Sequence, residues 1–148
     1  MTIKELVDKD AIYIANIEDG FQNYKNGILT MTKEEARSYF QNLIQVYGVD
    51  YCYVDFYYFA LSKEEQQRLD CVITDEDIIY LKKLRPWNDE KEQIIFPLYP
   101  QLLEIVIKFN DTSALFSTLY FIEHGEKKRL TYWGNYNHQY VCFEDGKI

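Results

Sequence analysis

The last third of the chain constrains the fold most. Three β-rich runs, "ALFSTLYFIE", "RLTYW" and "HQYVCFE", follow one another with only "HGEKK" and "GNYN" between them. Strands joined by connections this short pair antiparallel, because a parallel neighbour needs a crossover of roughly a dozen residues or more. The carboxy-terminal part is therefore expected to form a β-meander. A meander has an apolar face to bury, and the remaining sequence offers helices for the purpose.

The clearest helix spans residues 33–47. Thr32 and Glu35 stand at capping-box spacing, and Ala36, Tyr39, Phe40, Leu43, Ile44 and Tyr47 recur at offsets of three and four. Gly48 suits the left-handed stop. Residues 62–85 read as two short helices, with Ser62–Glu65 and Thr74–Asp77 as their starts. "IIFPLYPQLLEIVIKFN" gives a short extended piece and then a helix opened by Pro100, with Leu102, Leu103, Ile105, Val106 and Phe109 facing inward. Residues 2–9 suit a first helix, and "AIYIANI" reads as a strand ended by Glu18-Asp19-Gly20. Asn26-Gly27 is a turn signal, after which Ile28 to Met31 extend a hairpin or lead into the next helix. "RPWNDEKEQ" reads as a surface loop. Over 148 residues this order predicts one α+β domain, residues 1–148, with helices packed on a largely antiparallel sheet.

"DYCYVDFYYF", residues 50–59, packs four tyrosines, two phenylalanines and two aspartates into ten positions. With period two, Cys52, Val54, Phe56, Tyr58 and Ala60 share an ordinary core face. Tyr51, Tyr53, Asp55, Tyr57 and Phe59 share the other. Either a further layer covers that second face and hydrogen-bonds Asp55, or the face is a concave aromatic surface with an acid at its centre.

The formal charge is −8, and the densest positive cluster, Lys127-Lys128-Arg129, is a short stretch in an expected turn. A chain without a basic stripe is poorly suited to hold nucleic acid directly. Its apolar runs fall short of a membrane span, its start lacks a signal pattern, and its three cysteines are widely spaced. These features place it in the cytoplasm. Metal-binding spacings and phosphate-cradling glycine motifs are missing, so no cofactor or metal is implied. The two histidines, His124 and His138, make no sequence-evident dyad with a cysteine, and the expectation is a protein without catalysis.

Recognition remains. "YWGNYNHQY" sets Tyr132, Trp133, Tyr136, His138 and Tyr140 around a Gly-Asn turn, where aromatic side chains serve as partner anchors or as cross-strand core pairs. The size, the acidity and the strings "FPLYPQLLEIVIKFN", "ALFSTLYF" and "TYWGNYNHQYVCF" resemble the small cytoplasmic immunity proteins of Gram-positive bacteria. Those proteins are made beside secreted polymorphic toxins, including toxins with an LXG secretion domain. The resemblance implies a non-enzymatic protein that binds the carboxy-terminal domain of a cognate toxin, such as a basic nuclease. From the residues themselves, the expected contacts are Asp55 and Tyr57 on the aromatic stretch, with Trp133, Tyr136 and Glu144 on the meander. The alternative is a small-molecule-binding or regulatory domain, with a pocket beside Tyr51, Tyr53 and Tyr57.

Overall fold

The computed structural model describes residues 1–85 and 92–146. The meander is present: β4 (Thr118–Phe121), β5 (Leu130–Asn135) and β6 (Gln139–Glu144) run antiparallel in succession. β1 (Lys25–Thr30) joins β6 on one side, while β2 (Cys52–Asp55) and then β3 (Ile95–Pro97) extend the sheet beyond β4. The strand order is β1-β6-β5-β4-β2-β3 and every pairing between these strands is antiparallel. The molecule is a single-domain α+β fold, as the element order predicts.

One face of the sheet carries α3 (Lys33–Tyr47) and α6 (Pro100–Asp111), flanked by α4 (Lys63–Asp70) and α5 (Asp75–Leu84). At the start of α3, the Thr32 hydroxyl accepts from the Glu35 amide and the Glu35 carboxylate accepts from the Thr32 amide. Gly48, at φ +87°, ends the helix where a side chain would be strained. Between these stops, Ala36, Phe40, Ile44 and Tyr47 pack onto Phe121, Tyr132 and Tyr140 of the sheet. Lys108 of α6 ties down α5 through an ion pair with Asp77 at 2.6 Å.

The second face is covered by the amino-terminal segment: α1 (Ile3–Asp8), an extended stretch, and α2 (Ile17–Asn23). Leu6 and Ala11 pack with Tyr53, Ile95, Tyr120 and Ile122, and Ile12 and Ile14 pack with Val141 and Phe143. α2 approaches so closely at Gly20 that a Cβ there would lie 2.7 Å from the Phe143 ring.

Three local expectations are corrected. "AIYIANI" is not a strand of the sheet; residues 11–16 cross its face, and the Thr131 hydroxyl donates to the Ile12 carbonyl at 2.6 Å. Asn26-Gly27 is not a turn, because both residues lie inside β1 opposite Phe143 and Cys142, and the Asn26 amide group donates to the Phe21 and Tyr24 carbonyls. The aromatic strand stops at Asp55, and a 3-10 turn at Tyr58–Ala60 follows. Of the expected loop "RPWNDEKEQ", residues 86–91 lie outside the described residues. Among the described residues, no helix is long and apolar enough to cross a membrane.

Candidate interaction face

The structure separates the five expected contact residues. Period two holds over the strand, where Cys52 and Val54 enter the helix-side core followed by Phe56, and it ends at the 3-10 turn, where Tyr58 and Phe59 both pack into that core. The opposite face is covered, so Tyr53 is buried against α1. Asp55 is buried with it: the Thr118 amide donates to Oδ1 at 2.7 Å and the Tyr120 hydroxyl to Oδ2 at 3.5 Å. Burial pushes this carboxyl up to about 7, against the hydrogen bonds that lower it. Asp55 is therefore an internal acid, and its expected role at a partner's cations is withdrawn.

Trp133 is half-buried on the same covered face, against Ile12, Ile14, Val141 and Phe143. Its cross-strand partner is Val141, while Tyr140 faces Gly134. Glu144 ends β6 and pairs with Lys25 at 3.3 Å, whereas Tyr136 precedes the start of that strand. Among the described residues, Tyr57 and Tyr136 are the large exposed aromatics at one common end of the sheet, the end where β2 finishes and β6 begins.

That end is built around the β5–β6 turn. Asn137 and His138 sit at φ +61° and +60°, and the Gln139 amide donates to the Tyr136 carbonyl at 3.3 Å. Positive φ at both central residues is the type I′ geometry that matches the twist of a hairpin. The turn is thus two residues later than the expected "GNYN". It presents Tyr136, 61 % exposed, with its ring edge-on to Phe116 at 4.7 Å. It also brings His138 Nδ1 to 2.8 Å from Asp111 Oδ1 at the end of α6.

Beside the turn is an open depression of about 370 Å³, lined by Thr30, Met31, Lys33, Glu34, Asp111 and His138 among others. Glu34, Glu35 and Asp111 make its edge acidic. Next to Asp111, a buried Asn110 ties the end of α6 to the sheet: it accepts from the Ser117 amide at 2.9 Å and donates to the Tyr140 hydroxyl at 3.4 Å. Gly134 lets the end of α6 dock there, because a Cβ would lie 2.8 Å from the Ser117 carbonyl and 3.0 Å from Asn110. Sequence reasoning missed Asp111, Phe116 and Glu34, which no local pattern links to the turn.

The nucleophile inventory is short. Burial pushes the Cys52 thiol up to about 12 and the Cys142 thiol up to about 11, so both stay protonated at neutral pH. His124 is stacked on Tyr51 at 3.8 Å. His138 and Asp111 form a histidine–carboxylate pair, yet the hydroxyls lining the depression belong to Thr30 and Thr32, and Thr32 caps α3. Among the described residues, no three His, Cys, Asp or Glu side chains are placed to hold a metal. A second depression of about 180 Å³ lies between α4 and α5, lined by Tyr58, Phe59, Gln66, Asp70 and Lys82 among others. The aromatic stretch meets it through the 3-10 turn rather than through Tyr51 or Tyr53. No protein-family model, curated protein or solved structure matches this chain.

Proposed function

We propose that this chain is a cytoplasmic immunity protein that neutralises a cognate toxin by binding the toxin's carboxy-terminal domain. The observation that carries the reading is the make-up of the exposed end: the turn that presents Tyr136, braced on Phe116, also carries His138, which meets Asp111 at a depression lined by Glu34 and Glu35. An aromatic side chain of this kind supplies the buried anchor of an interface, and surrounding acids steer and select a basic partner. A nuclease domain holds phosphates with lysine and arginine, so an acidic protein of net charge −8 competes for that surface. Tyr57 extends the same end of the sheet, whereas Trp133 packs into its covered face and Glu144 lies at the opposite end.

The test is co-expression with the carboxy-terminal domain of the protein encoded immediately upstream, scored by host survival and by co-purification. Rescue with a stable complex is the expected result. Tyr136→Ala combined with Glu34→Lys should then cost at least about 2 kcal/mol of binding while circular dichroism stays unchanged. No rescue and no complex, with both chains soluble, would remove the reading. Rescue without a complex, lost in His138→Ala, would move the function to catalysis. The small-molecule reading expects a pocket beside Tyr51, Tyr53 and Tyr57, and neither the depression of about 180 Å³ beside Tyr58 and Phe59 nor that of about 370 Å³ beside His138 is lined by those residues.

A further inference from the structure

The two edges of the sheet are treated differently. At the β3 edge, Met1 exchanges both backbone hydrogen bonds with Ile95, at 2.9 and 3.0 Å, and Pro97 has no amide to offer. That edge is closed to further pairing. β1, the other edge, has no described strand beyond it. The Met31 amide bonds the His138 carbonyl at 2.9 Å, so by alternation Leu29, Gly27 and Lys25 direct their backbone groups toward β6. Asn26, Ile28 and Thr30 direct theirs outward. Its protection is slight: β1 holds no proline, its single charge is Lys25 at one end, and Ile28 at its centre is 59 % exposed.

We propose that β1 pairs antiparallel with β1 of a second copy of this chain, across a two-fold axis at Ile28, to form one continuous sheet through two protomers. The outward groups are self-complementary: Ile28 meets Ile28, and Asn26 of each copy meets Thr30 of the other. The exposed isoleucines become a cross-strand apolar pair. The charges also match. Lys25 begins β1, while the acid-edged depression with Glu34 and Glu35 follows its end. Lys25 shares the Leu29 side of the strand, the side that α3 covers. Antiparallel pairing therefore lays each Lys25 beside the other copy's Met31 and the acids that follow it. The exchange costs little, because the Lys25–Glu144 pair is exposed, 65 % on the lysine side. Repulsion between two chains of charge −8 is screened beyond about 8 Å at physiological salt, so contacts at the edge decide. The Tyr136 turns of the two copies point away from each other along the joined sheet, whereas Glu34 and Glu35 serve both this contact and the proposed toxin face, and the oligomeric state is read on the chain alone.

Sedimentation equilibrium of the full chain tests this. The expected particle is twice 17.8 kDa at high concentration and dissociates on dilution. Ile28→Pro removes only an outward amide, so it should keep the β1–β6 ladder and give a monomer. Lys25→Glu should weaken association by about tenfold, and adding Glu34→Lys to it should restore it. A wild-type chain that stays monomeric throughout, or an Ile28→Pro variant that still dimerises, would overturn the proposal. If Ile28→Pro does not fold, amide exchange decides. Protection at Asn26, Ile28 and Thr30 that rises with concentration supports the pairing, and unchanged fast exchange there overturns it.

Discussion

Tyr39, Tyr47, Tyr53, Tyr58, Tyr120 and Tyr132 each bring a hydroxyl to a partner at the margin of a layer. The partners are Tyr132 for Tyr39, the Lys128 carbonyl for Tyr47, the Asp50 carbonyl for Tyr53, Asp70 for Tyr58 and Asp55 for Tyr120. These tyrosines thus fill the two cores while keeping their polar tips bonded. Asp55 is one of those bonds and makes the fold sensitive to pH. Its folded carboxyl, at about 7, lies above the ordinary 3.8, so the folded state holds the proton more tightly than the unfolded chain does. The resulting stability is complete below the ordinary value and is lost as pH rises through about 7. Asp55→Asn keeps an acceptor for the Thr118 amide and cannot ionise. Between about pH 5 and about pH 8 the wild-type melting temperature should fall relative to that of the variant, and parallel curves would refute the assignment. His138 makes the opposite case. A non-glycine residue at φ +60° costs about 1 kcal/mol, and its half-exposed contact with Asp111 returns less than that. His138→Gly should therefore raise stability in urea unfolding by up to about 1 kcal/mol. Lower stability would show that the Asp111 contact outweighs the strain.

At the scale of elements, local chemistry predicts best where a signal is complete within a few residues. α3 has its capping box, its apolar stripe and its terminal glycine in one continuous run, and all three operate in the fold. Thr32→Ala should cost about 1 kcal/mol, measured by denaturant midpoint, through the lost cap alone. The meander was legible for the same reason, since its turns and strands are adjacent in sequence. The failures occur where a partner lies far away in the chain. β-branched residues at 11–14 specify an extended backbone, but not whether it joins the ladder or crosses the face. Asn26-Gly27 favours a turn locally, and pairing along the whole of β1 with β6 overrides it. The candidate face was only half visible, because Tyr136 sits in a readable turn while Asp111 and Glu34 arrive from two other elements. Gly134 carries the docking of those elements. Gly134→Ala should destabilise by about 1–3 kcal/mol, because the new methyl meets a backbone carbonyl and a buried asparagine that have no space to withdraw. A smaller loss, read by thermal unfolding, would mean that the end of α6 can shift.

Across the whole molecule, the sheet is enclosed by two layers of unequal weight. The helix side carries the larger core, with α3 and α6 over Phe121, Tyr132 and Tyr140. The amino-terminal side is thin, yet it performs three tasks at once. It buries Tyr53, Tyr120 and Phe143, it keeps Asp55 from water, and through Met1 it closes the β3 edge. Leu6 is the fully buried residue through which α1 is held to that side. Leu6→Ala should cost about 2–5 kcal/mol, since the cavity it leaves lies under a short helix with few other anchors. The loss should also be local in character. With α1 loosened, the Ile95 amide, bonded to the Met1 carbonyl at 2.9 Å, should exchange through a local opening well before global unfolding. The Gly48 amide, bonded to the Ile44 carbonyl at 2.8 Å on the helix side, should not share that opening. If both amides accelerate by the same factor in Leu6→Ala, the two layers open as one cooperative unit and the amino-terminal side is not a separable cover.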